Sequence, residues 1–484
     1  MYTIKFTRCL IYMMLVFNII WLVSCAVNPV TGKSEFMLLS EADEIKLGQQ
    51  TDAEIIQMYG VYDNKNLTAY IDNLGQQMVK KSHRPQLKFE FKVMDSPVIN
   101  AFAVPGGYVY ITRGILAYLN NEAELAGVIG HEIGHVTARH SAKQYTNAQF
   151  AQLGLGLGSI LSEEFARYAP LAAQGIGLLF LKFSRDNESQ SDDLGVEYST
   201  KIGYDAHKMS NFFVTLNKMS NESQKGSLPS WLSTHPNPAD RVIEIRSEAD
   251  KWQKQLNVKD LKINRDAYLN TINDLVFGDN PRQGFVENNI FYHPDLKFKF
   301  PVPAGWQLTN LPTQVQIVSS DEQAAILFTL STEKNTQTAV QKFITNTKAV
   351  VNEQSDLSVN GFKSKKVIST LAGQNTTLNV LSYFIDKDKY VFVFHGMTAA
   401  NLFNTYQSSF QNSMNGFSQM TDKTKLNIRP DRIRIKKVTQ AMNLRAALKS
   451  FSASDDDLSK LALMNGMNLE DPIAPNTLLK TIDR

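Results

Sequence analysis

The chain has 484 residues, with 50 lysines and arginines against 47 aspartates and glutamates, and this near balance gives no reason to expect a nucleic-acid partner. Its hydrophobic content of 43% is typical of a folded protein and excludes a disordered one. The length allows about two to four domains with substantial cores.

The first segment, residues 1–24, has the features of a secretory signal. Two basic residues precede an apolar run that is near the short limit for a membrane-spanning helix. The run ends at Leu22-Val23-Ser24-Cys25, which resembles the bacterial lipobox and predicts a lipid on Cys25; a plain membrane anchor is the alternative. By the usual sorting pattern, Ala26 after the cysteine predicts the outer membrane. Cys25 would be the single cysteine of the mature chain, so no internal disulfide is expected.

The next stretch predicts two helices followed by a small sheet. One helix begins near Ser40, with Asp43 at capping-box spacing, and a second amphipathic helix covers residues 66–82. Alternation predicts a strand at 87–94, and residues 100–112 are typical of strand, Pro-Gly-Gly turn, strand. An extended peptide could add itself to the edge of such a sheet. The predicted substrate strand comprises Asn100, Ala101, Phe102 and Ala103.

Residues 121–141 contain the most informative motif of the chain, His131-Glu132-Ile133-Gly134-His135. Apolar residues recur around it at the spacing of a helix with one buried face. Four residues on a helix make roughly 400°, so the two histidines lie about 40° apart and one turn from each other. Two neutral imidazoles placed in this way can hold one tetrahedral zinc ion, and Glu132 can take a proton from an attacking water. A buried helix rarely carries such residues without polar partners, so a metal site is favoured over a structural interpretation.

His140 is the nearest further candidate ligand, but its spacing argues against it. It lies roughly 180° from His131 around a continuous helix. The metzincin pattern HExxHxxGxxH needs glycine and histidine where this chain has Ala138 and Ser141. His140 is therefore predicted to be a structural histidine on the back of the helix.

Residues 150–183 are rich in glycine and apolar residues. The GxGxG that starts at Gly154 has no preceding strand and no following Lys-Ser/Thr, which disfavours nucleotide binding. Charged residues interrupt the segment and argue against a membrane span. The segment is predicted to be a mobile apolar lid over the site, and contact with a membrane is compatible with it.

Downstream, Glu188 and Asp192 are four residues apart and therefore face the same way on a helix. One carboxylate could complete the zinc ligands while the other holds the second nitrogen of a ligand histidine. The alternative is a solvated acidic face, which the local sequence alone favours. The upstream histidine pair shifts the balance towards the metal site.

Three motifs together resemble the gluzincin family that contains the prenyl-protein protease, HtpX and Oma-type proteases, with BepA-like and LoiP-like members most similar. The motifs are HEIGH, then SRDNESQSDDLG, then Ser233-Thr234-His235-Pro236 with Arg241, and the resemblance covers roughly residues 27–255. Ser191 stands where this family usually has alanine. The resemblance implies a role for each matching residue: His131, His135 and Glu188 as ligands of one zinc ion, Glu132 as general base, Asp192 beside the ligands, His235 as a zinc cap or a stabiliser of the transition state, and Arg241 facing the oxyanion.

The C-terminal half changes character. Residues 324–331 and 390–395 alternate as strands in an α+β module with no catalytic cluster, where His293 and His395 are predicted to be structural. No 34-residue repeat is present. The last segment resembles a degenerate LysM-like module, which implies peptidoglycan contact through residues 426–484; a docking role is the alternative. The predicted domains are 1–24 signal, 25–257 zinc peptidase, 258–284 linker, 285–425 α+β accessory domain and 426–484 LysM-like module.

The expected fold class is α+β, with a mainly helical zincin domain and a small edge-strand sheet, followed by the two C-terminal modules. The expected function is that of a zinc-dependent metalloendopeptidase of the bacterial cell envelope, periplasmic and lipid-anchored to the outer membrane. By resemblance, its substrates are misfolded or stalled envelope proteins, and the outer-membrane assembly machinery is an expected partner. The alternative is an assembly chaperone or scaffold whose zinc site is silenced by His235.

Overall fold

The computed structural model describes residues 25–152, 182–222, 230–235, 238–372 and 377–484. The predicted signal segment and nearly all of the predicted lid lie outside these residues. The chain divides into two compact units. Among the described residues, the first unit combines those up to Ile56 with those of Val61–Gly278 and Arg432–Asp483, and the second consists mainly of those of Asp279–Asp431.

The first unit is mainly helical. Its helices up to residue 278 are α1 Glu41–Tyr59, α2 Lys65–Val79, α3 Arg113–Tyr118, α4 Glu122–Thr137, α5 His140–Gln152, α6 Arg185–Lys201, α7 Met209–Glu222, α8 Ser230–Thr234, α9 Pro238–Leu256 and α10 Arg265–Thr271. Its strands there are β1 Cys25–Val27, β2 Ser34–Phe36, β3 Glu90–Met94, β4 Ala101–Val104 and β5 Tyr108–Thr112. No helix within the described ranges is both long enough and apolar enough to cross a membrane.

The two predicted helix starts are confirmed by their caps. Ser40 donates its backbone N–H to Asp43 Oδ2 at 3.2 Å, and Asp43 donates its own N–H to Ser40 Oγ at 3.2 Å, which is a capping box. Before α2, the side chain of Asn64 accepts the N–H of Leu67 at 3.1 Å. Local hydrogen bonding thus fixes where both helices begin.

The small sheet has the order β3-β5-β4, with β3 and β5 parallel and β4 and β5 antiparallel. The predicted Pro-Gly-Gly turn joins β4 to β5, and Gly106 and Gly107 have φ values of 85° and 96° that favour glycine. Among the described residues, β4 pairs with β5 alone, so β4 is an edge strand of this sheet.

Helix α4 is the central element of the first core. Every one of its residues is buried, although the sequence pattern predicts a single buried face. The reason is that α4 packs against α2, α6, α7 and β4, which surround it on several sides. Polar groups on α4 therefore need partners inside the protein, because water does not reach them.

The second unit is a sheet-rich α+β module. The strands are β6 Phe285–Glu287, β7 Ile290–His293, β8 Phe298–Pro301, β9 Gln307–Leu311, β10 Gln314–Val318, β11 Ala324–Ser331, β12 Val350–Val359, β13 Phe362–Ala372, β14 Thr377–Lys387, β15 Tyr390–Ala399 and β16 Ser418–Gln419. A seven-stranded antiparallel sheet has the order β12-β13-β14-β15-β11-β10-β9, and a four-stranded sheet has the order β16-β8-β7-β6. A cluster of phenylalanines, including Phe298, Phe300 and Phe394, fills the core of the unit. The helices are α11 Thr336–Thr347, α12 Phe403–Asn415 and α13 Lys423–Leu426.

The last segment returns to the first unit. Its strands β17 Arg432–Lys437 and β20 Leu478–Asp483 pair antiparallel. The other elements are β18 Met442–Asn443, α14 Leu444–Ser450, α15 Asp455–Met464 and β19 Pro472–Ile473. Leu448 and Leu479 belong to the same core cluster as the apolar residues of α4. The buried Lys480 donates to the carbonyls of Ala117 and Leu119 at 2.9 and 2.7 Å.

The structure therefore corrects two of the predicted domain boundaries. Residues 426–484 were expected to form a separate module, but Arg432–Asp483 pack into the first unit because their apolar residues share its core. Much of the predicted linker at 258–284 is also part of that unit. Its helix α10 buries Tyr268, whose hydroxyl donates to the carbonyl of Leu116 at 2.7 Å.

Candidate metal centre

The two motif histidines lie side by side on α4. His131 and His135 are fully buried, and their Nε2 atoms are 3.0 Å apart. Asn121 caps the start of the helix, and its side chain accepts the N–H of Glu124 at 2.9 Å. The spacing predicted from helical geometry is thus realised with both rings facing one point.

Two glycines of α4 let α6 come close enough to add a carboxylate. A Cβ built on Gly130 would lie 3.0 Å from the Cα of Gly195, and one on Gly134 would lie 3.1 Å from the Cα of Ser191. Any larger side chain at these positions would push the two helices apart. The close approach brings Glu188, on the first turns of α6, beside the histidines.

Four side chains converge on one centre: His131, His135, Glu188 and His235. The Nε2 atom of His131 is 3.7 Å from Glu188 Oε2 and 3.3 Å from His235 Nδ1. Glu188 Oε1 lies 3.5 Å from His135 Nε2 and 2.9 Å from His235 Nδ1.

These distances suit a tetrahedral metal ion. Donor atoms at the vertices of a tetrahedron with bonds of 2.0–2.1 Å are about 3.4 Å apart, and the observed separations of 2.9–3.7 Å scatter around that value. Imidazole nitrogens and one carboxylate oxygen are also the ligand types that zinc prefers. The residues present therefore fit the predicted metal in number, type and placement.

Asp192 and Arg241 both lie next to Nδ1 of His131. Asp192 Oδ1 is 2.9 Å from His131 Nδ1, so the carboxylate orients this ring. Arg241 donates from Nε and Nη2 to Asp192 at 2.6 and 2.7 Å, and its Nη1 is 2.7 Å from Glu188 Oε2. The guanidinium thus holds both carboxylates in this structure, and its predicted contact with an oxyanion stays a prediction.

Glu132 faces the same centre from α4. Its Oε1 is buried without a hydrogen-bond partner among the described residues, and the nearest imidazole nitrogen, Nε2 of His235, is 3.9 Å away. Burial raises the pKa of Glu132, while His235 and His131 act against this rise. A buried, unpaired carboxylate oxygen beside a metal site is what a proton acceptor for a bound water requires.

The charges around the centre are balanced by short contacts. Burial acts to raise the pKa of Glu188, but His235 and Arg241 outweigh it and hold this pKa below its usual range. Burial acts to lower the pKa of His235, but Glu188 and Glu132 outweigh it and raise the value. Burial lowers the pKa of His135, and the neighbouring His131 adds to this effect.

His235 follows α8 and closes the cluster. The ring of His235 stacks on Trp231 with a centroid distance of 4.7 Å, and the backbone N–H of His235 donates to the Trp231 carbonyl at 2.9 Å. The backbone N–H of Trp231 in turn donates to the carbonyl of Ile99, just before β4, at 3.1 Å. The segment that carries His235 is therefore tied to the strand predicted to hold the substrate.

The predicted substrate strand lies at the open edge of the small sheet. Ala101, Phe102 and Ala103 belong to β4, and Asn100 precedes it. The ring of Phe102 stacks on Tyr110 of β5 at 4.9 Å, which braces the strand. Cys25, the predicted lipidation site, is the first described residue and pairs with Phe36.

The sequence does not predict the positions of two residues near the centre, His140 and Phe183. The prediction that His140 lies on the back of the helix is wrong, because α4 ends at Thr137 and the chain turns, which places His140 Nδ1 3.0 Å from His135 Nδ1. Phe183 stacks on the ring of His135 at a centroid distance of 3.9 Å. Arg139 with φ of 60° causes the turn, and a sequence gives little signal for such a residue.

Residues 65–249 match the family model described as Peptidase family M48. This part of the chain is a peptidase family M48 domain. The M48 domain contains all four converging side chains, from His131 to His235, and also Arg241 on α9. The resemblance to HtpX and Oma-type proteases is confirmed at this level, whereas the LysM-like module stays a prediction.

Curated relatives agree with the family. The "Beta-barrel assembly-enhancing protease" of Escherichia coli K12 is 30% identical over 251 residues, which are 50% of this chain and 50% of that protein. The protein of the same name from Yersinia pestis is 34% identical over 46% of this chain and 48% of its own length. The "Mitochondrial metalloendopeptidase OMA1" of Schizosaccharomyces pombe is 28% identical over 48% of this chain and 67% of its own length. The chain thus spans about half the length of the first two relatives.

Proposed function

We propose that the chain is a zinc-dependent endopeptidase of the bacterial cell envelope, with Glu132 as general base. The observation that carries the proposal is the convergence of three imidazoles and Glu188 on one centre, with the unpaired Oε1 of Glu132 beside it. The M48 domain and the metalloendopeptidase names of its relatives support the same chemistry.

The roles of the side chains follow from their contacts. His131, His135 and Glu188 would hold the zinc ion, which when bound polarises a peptide carbonyl and lowers the pKa of water. Glu132 accepts the proton of the attacking water and passes it to the leaving amine. Asp192 keeps His131 in position through its Nδ1 contact of 2.9 Å.

The open edge of β4 offers the binding mode for the substrate. An unfolded segment can pair as an additional strand with the backbone of β4, which itself packs against α4. Backbone pairing is independent of side chains, so it suits a protease that acts on misfolded proteins. The names of the bacterial relatives support misassembled envelope and outer-membrane proteins as substrates. The lipobox-like Cys25 supports a periplasmic location at the outer membrane.

The test uses residues 26–484, purified without a lipid, with metal analysis and casein cleavage. One zinc per chain is expected, together with a loss of cleavage of roughly 10²–10⁴-fold in Glu132→Gln. The matched control is Glu197→Gln, which removes another buried carboxylate, on α6, whose partner is Lys201. Cleavage at the wild-type rate in Glu132→Gln would contradict the role of Glu132, and a chain without zinc would contradict the site.

An assembly chaperone with a silenced site is the second candidate. The observation that favours it is the position of His235 Nδ1, 3.3 Å from His131 Nε2, where it takes the fourth vertex of the tetrahedron. If His235 only restrains the enzyme, His235→Ala should retain zinc and cleave casein faster than the wild type. Zinc binding without cleavage in both proteins would favour the chaperone.

A further inference from the structure

His140 is separated from the motif helix by a sharp turn. Helix α4 ends at Thr137, and Arg139 adopts φ of 60° before α5 begins at His140. On a continuous helix, His140 would lie about 140° away from His135. The turn instead places their Nδ1 atoms 3.0 Å apart.

The turn is held in place at some conformational cost. A positive φ is unfavourable for a residue with a Cβ, and Arg139 is such a residue. Its guanidinium bonds to the buried Glu44 and donates to the carbonyl of Leu39 at 2.8 Å. These contacts anchor the strained residue, so the position of His140 is specified by the fold.

The hydrogen bonds of His140 determine where the protons reside. His135 Nε2 faces the metal centre, at 3.0 Å from His131 Nε2. A neutral imidazole that binds a metal through Nε2 carries its proton on Nδ1, which must then donate to His140 Nδ1. His140 is left with its proton on Nε2, and that nitrogen is 2.9 Å from Gln190 Oε1, an acceptor. Each ring nitrogen in this series of hydrogen bonds therefore has the role, donor or acceptor, that its partner requires.

We propose that His140 and Gln190 are positioning residues that hold His135 in the tautomer able to bind the metal. The inference rests on the proposed zinc site. It assigns to His135 an uncharged hydrogen-bond partner, whereas the partner of His131 is the charged Asp192. Asp192 orients His131 with a charged oxygen at 2.9 Å, whereas His140 orients His135 with a ring nitrogen that Gln190 keeps unprotonated.

The neighbourhood limits what else could orient His135. Phe183 stacks on the face of the ring and offers no hydrogen-bond acceptor there. Ser191 Oγ is 3.3 Å from His140 Nδ1 and can donate to the same lone pair, but it does not replace the acceptor that His135 needs. His140 is buried, and Gln190 is half-buried, so Gln190 can be substituted with less risk to folding.

The first test compares zinc affinities of residues 26–484 by competition with a chromogenic chelator at neutral pH. His140→Phe keeps a ring but loses the acceptor, and a 10–100-fold weaker affinity is expected, as for other partners of ligand histidines. Gln190→Met should weaken binding by a smaller factor, and Gln190→Glu should restore it because a carboxylate accepts the same bond. His395→Phe in the second unit is the matched control and should bind zinc like the wild type. Thermal melting of the zinc-free proteins checks folding.

The second test reads the tautomers directly. Nitrogen-15 labelling of the eight histidines allows two-bond couplings to assign the protonated nitrogen of each ring in the zinc-loaded chain. The expected result is a proton on Nδ1 of His135 and on Nε2 of His140. A proton on Nδ1 of His140 would overturn the inference.

The outcomes separate this inference from the proposed function. Wild-type affinity in both His140→Phe and Gln190→Met would overturn the positioning role and leave the zinc peptidase intact. A wild-type chain that binds no zinc would overturn both.

Discussion

Both compact units contain histidines shielded from water, fully buried in the first unit and half-buried in the second, but the partners of those histidines differ. In the first unit, His131 and His135 share a centre with Glu188. In the second unit, His395 contacts Ser382 Oγ at 2.7 Å, and His293 accepts the N–H of Leu296 at 3.2 Å. Burial lowers the pKa of both second-unit histidines to about 4, and for His293 this effect outweighs the opposing effect of Asp295.

The comparison shows which feature makes a site. Histidines that are half-buried or fully buried occur in both units, so shielding from water does not by itself make a site. The distinguishing features are convergence on one point and a carboxylate at that point, because a cation can compensate the burial of a charge that would otherwise be costly. The first unit has such a carboxylate in Glu188, whereas His293 accepts a backbone N–H and His395 contacts a serine hydroxyl.

The largest effect is expected from removing the shared carboxylate. Glu188→Gln leaves the histidines in place but removes the carboxylate from the point on which they converge. Zinc affinity should fall by more than about 100-fold, beyond the range for residues that only orient a ligand. Chelator competition measures this, and an affinity within threefold or so of the wild type would show that the carboxylate does not bind the metal.

A larger side chain between α4 and α6 should also move Glu188 away from the histidines of α4. Gly130→Val places a side chain where a Cβ already lies 3.0 Å from the Cα of Gly195. The free energy of unfolding should fall by about 1–3 kcal/mol, and zinc affinity should fall with it because Glu188 moves away. Urea unfolding with and without zinc measures both effects. Loss of stability with unchanged zinc affinity would separate the helix packing from the site.

The buried lysines of the two units allow a matched pair of substitutions. Lys480→Met removes the donor to the carbonyls of Ala117 and Leu119, and Lys387→Met removes the donor to the Leu296 carbonyl in the second unit. Lys480→Met should cost about 2–3 kcal/mol because buried acceptors lose their partner. Zinc should still raise the melting temperature of both variants. A Lys480→Met chain as stable as the wild type would contradict the packing of residues 432–483 against the first unit.

The smallest effect is expected at His395. Its ring already stacks on Phe343 at 4.6 Å and lies 5.9 Å from Phe384, so His395→Phe fits an aromatic environment. The free energy of unfolding should change by less than about 1.5 kcal/mol, since the loss is one hydrogen bond from Ser382. Denaturant unfolding measures it. A clear loss of zinc binding would show that the two units are coupled in function.

The sequence predicts those parts of the site that depend on local spacing. His131 and His135 share a helix face, and so do Glu188 and Asp192, because a helix brings residues four apart together. The capping box at Ser40 and the Pro-Gly-Gly turn are local for the same reason.

The remaining features depend on tertiary contacts that no short pattern encodes. The position of His140 follows from the left-handed Arg139, which Glu44 and Leu39 stabilise from a distant part of the chain. The packing of the last segment follows from the burial of Lys480, a residue whose type predicts exposure. The closeness of α4 and α6 is visible in the glycines of α4 only after both helices are placed.

The most direct test of the central claim is the zinc content of residues 26–484 together with casein cleavage by the wild type and Glu132→Gln. The expected result is one zinc per chain in both proteins and cleavage by the wild type alone. Absence of zinc from the wild type, or equal cleavage by the two proteins, would contradict it.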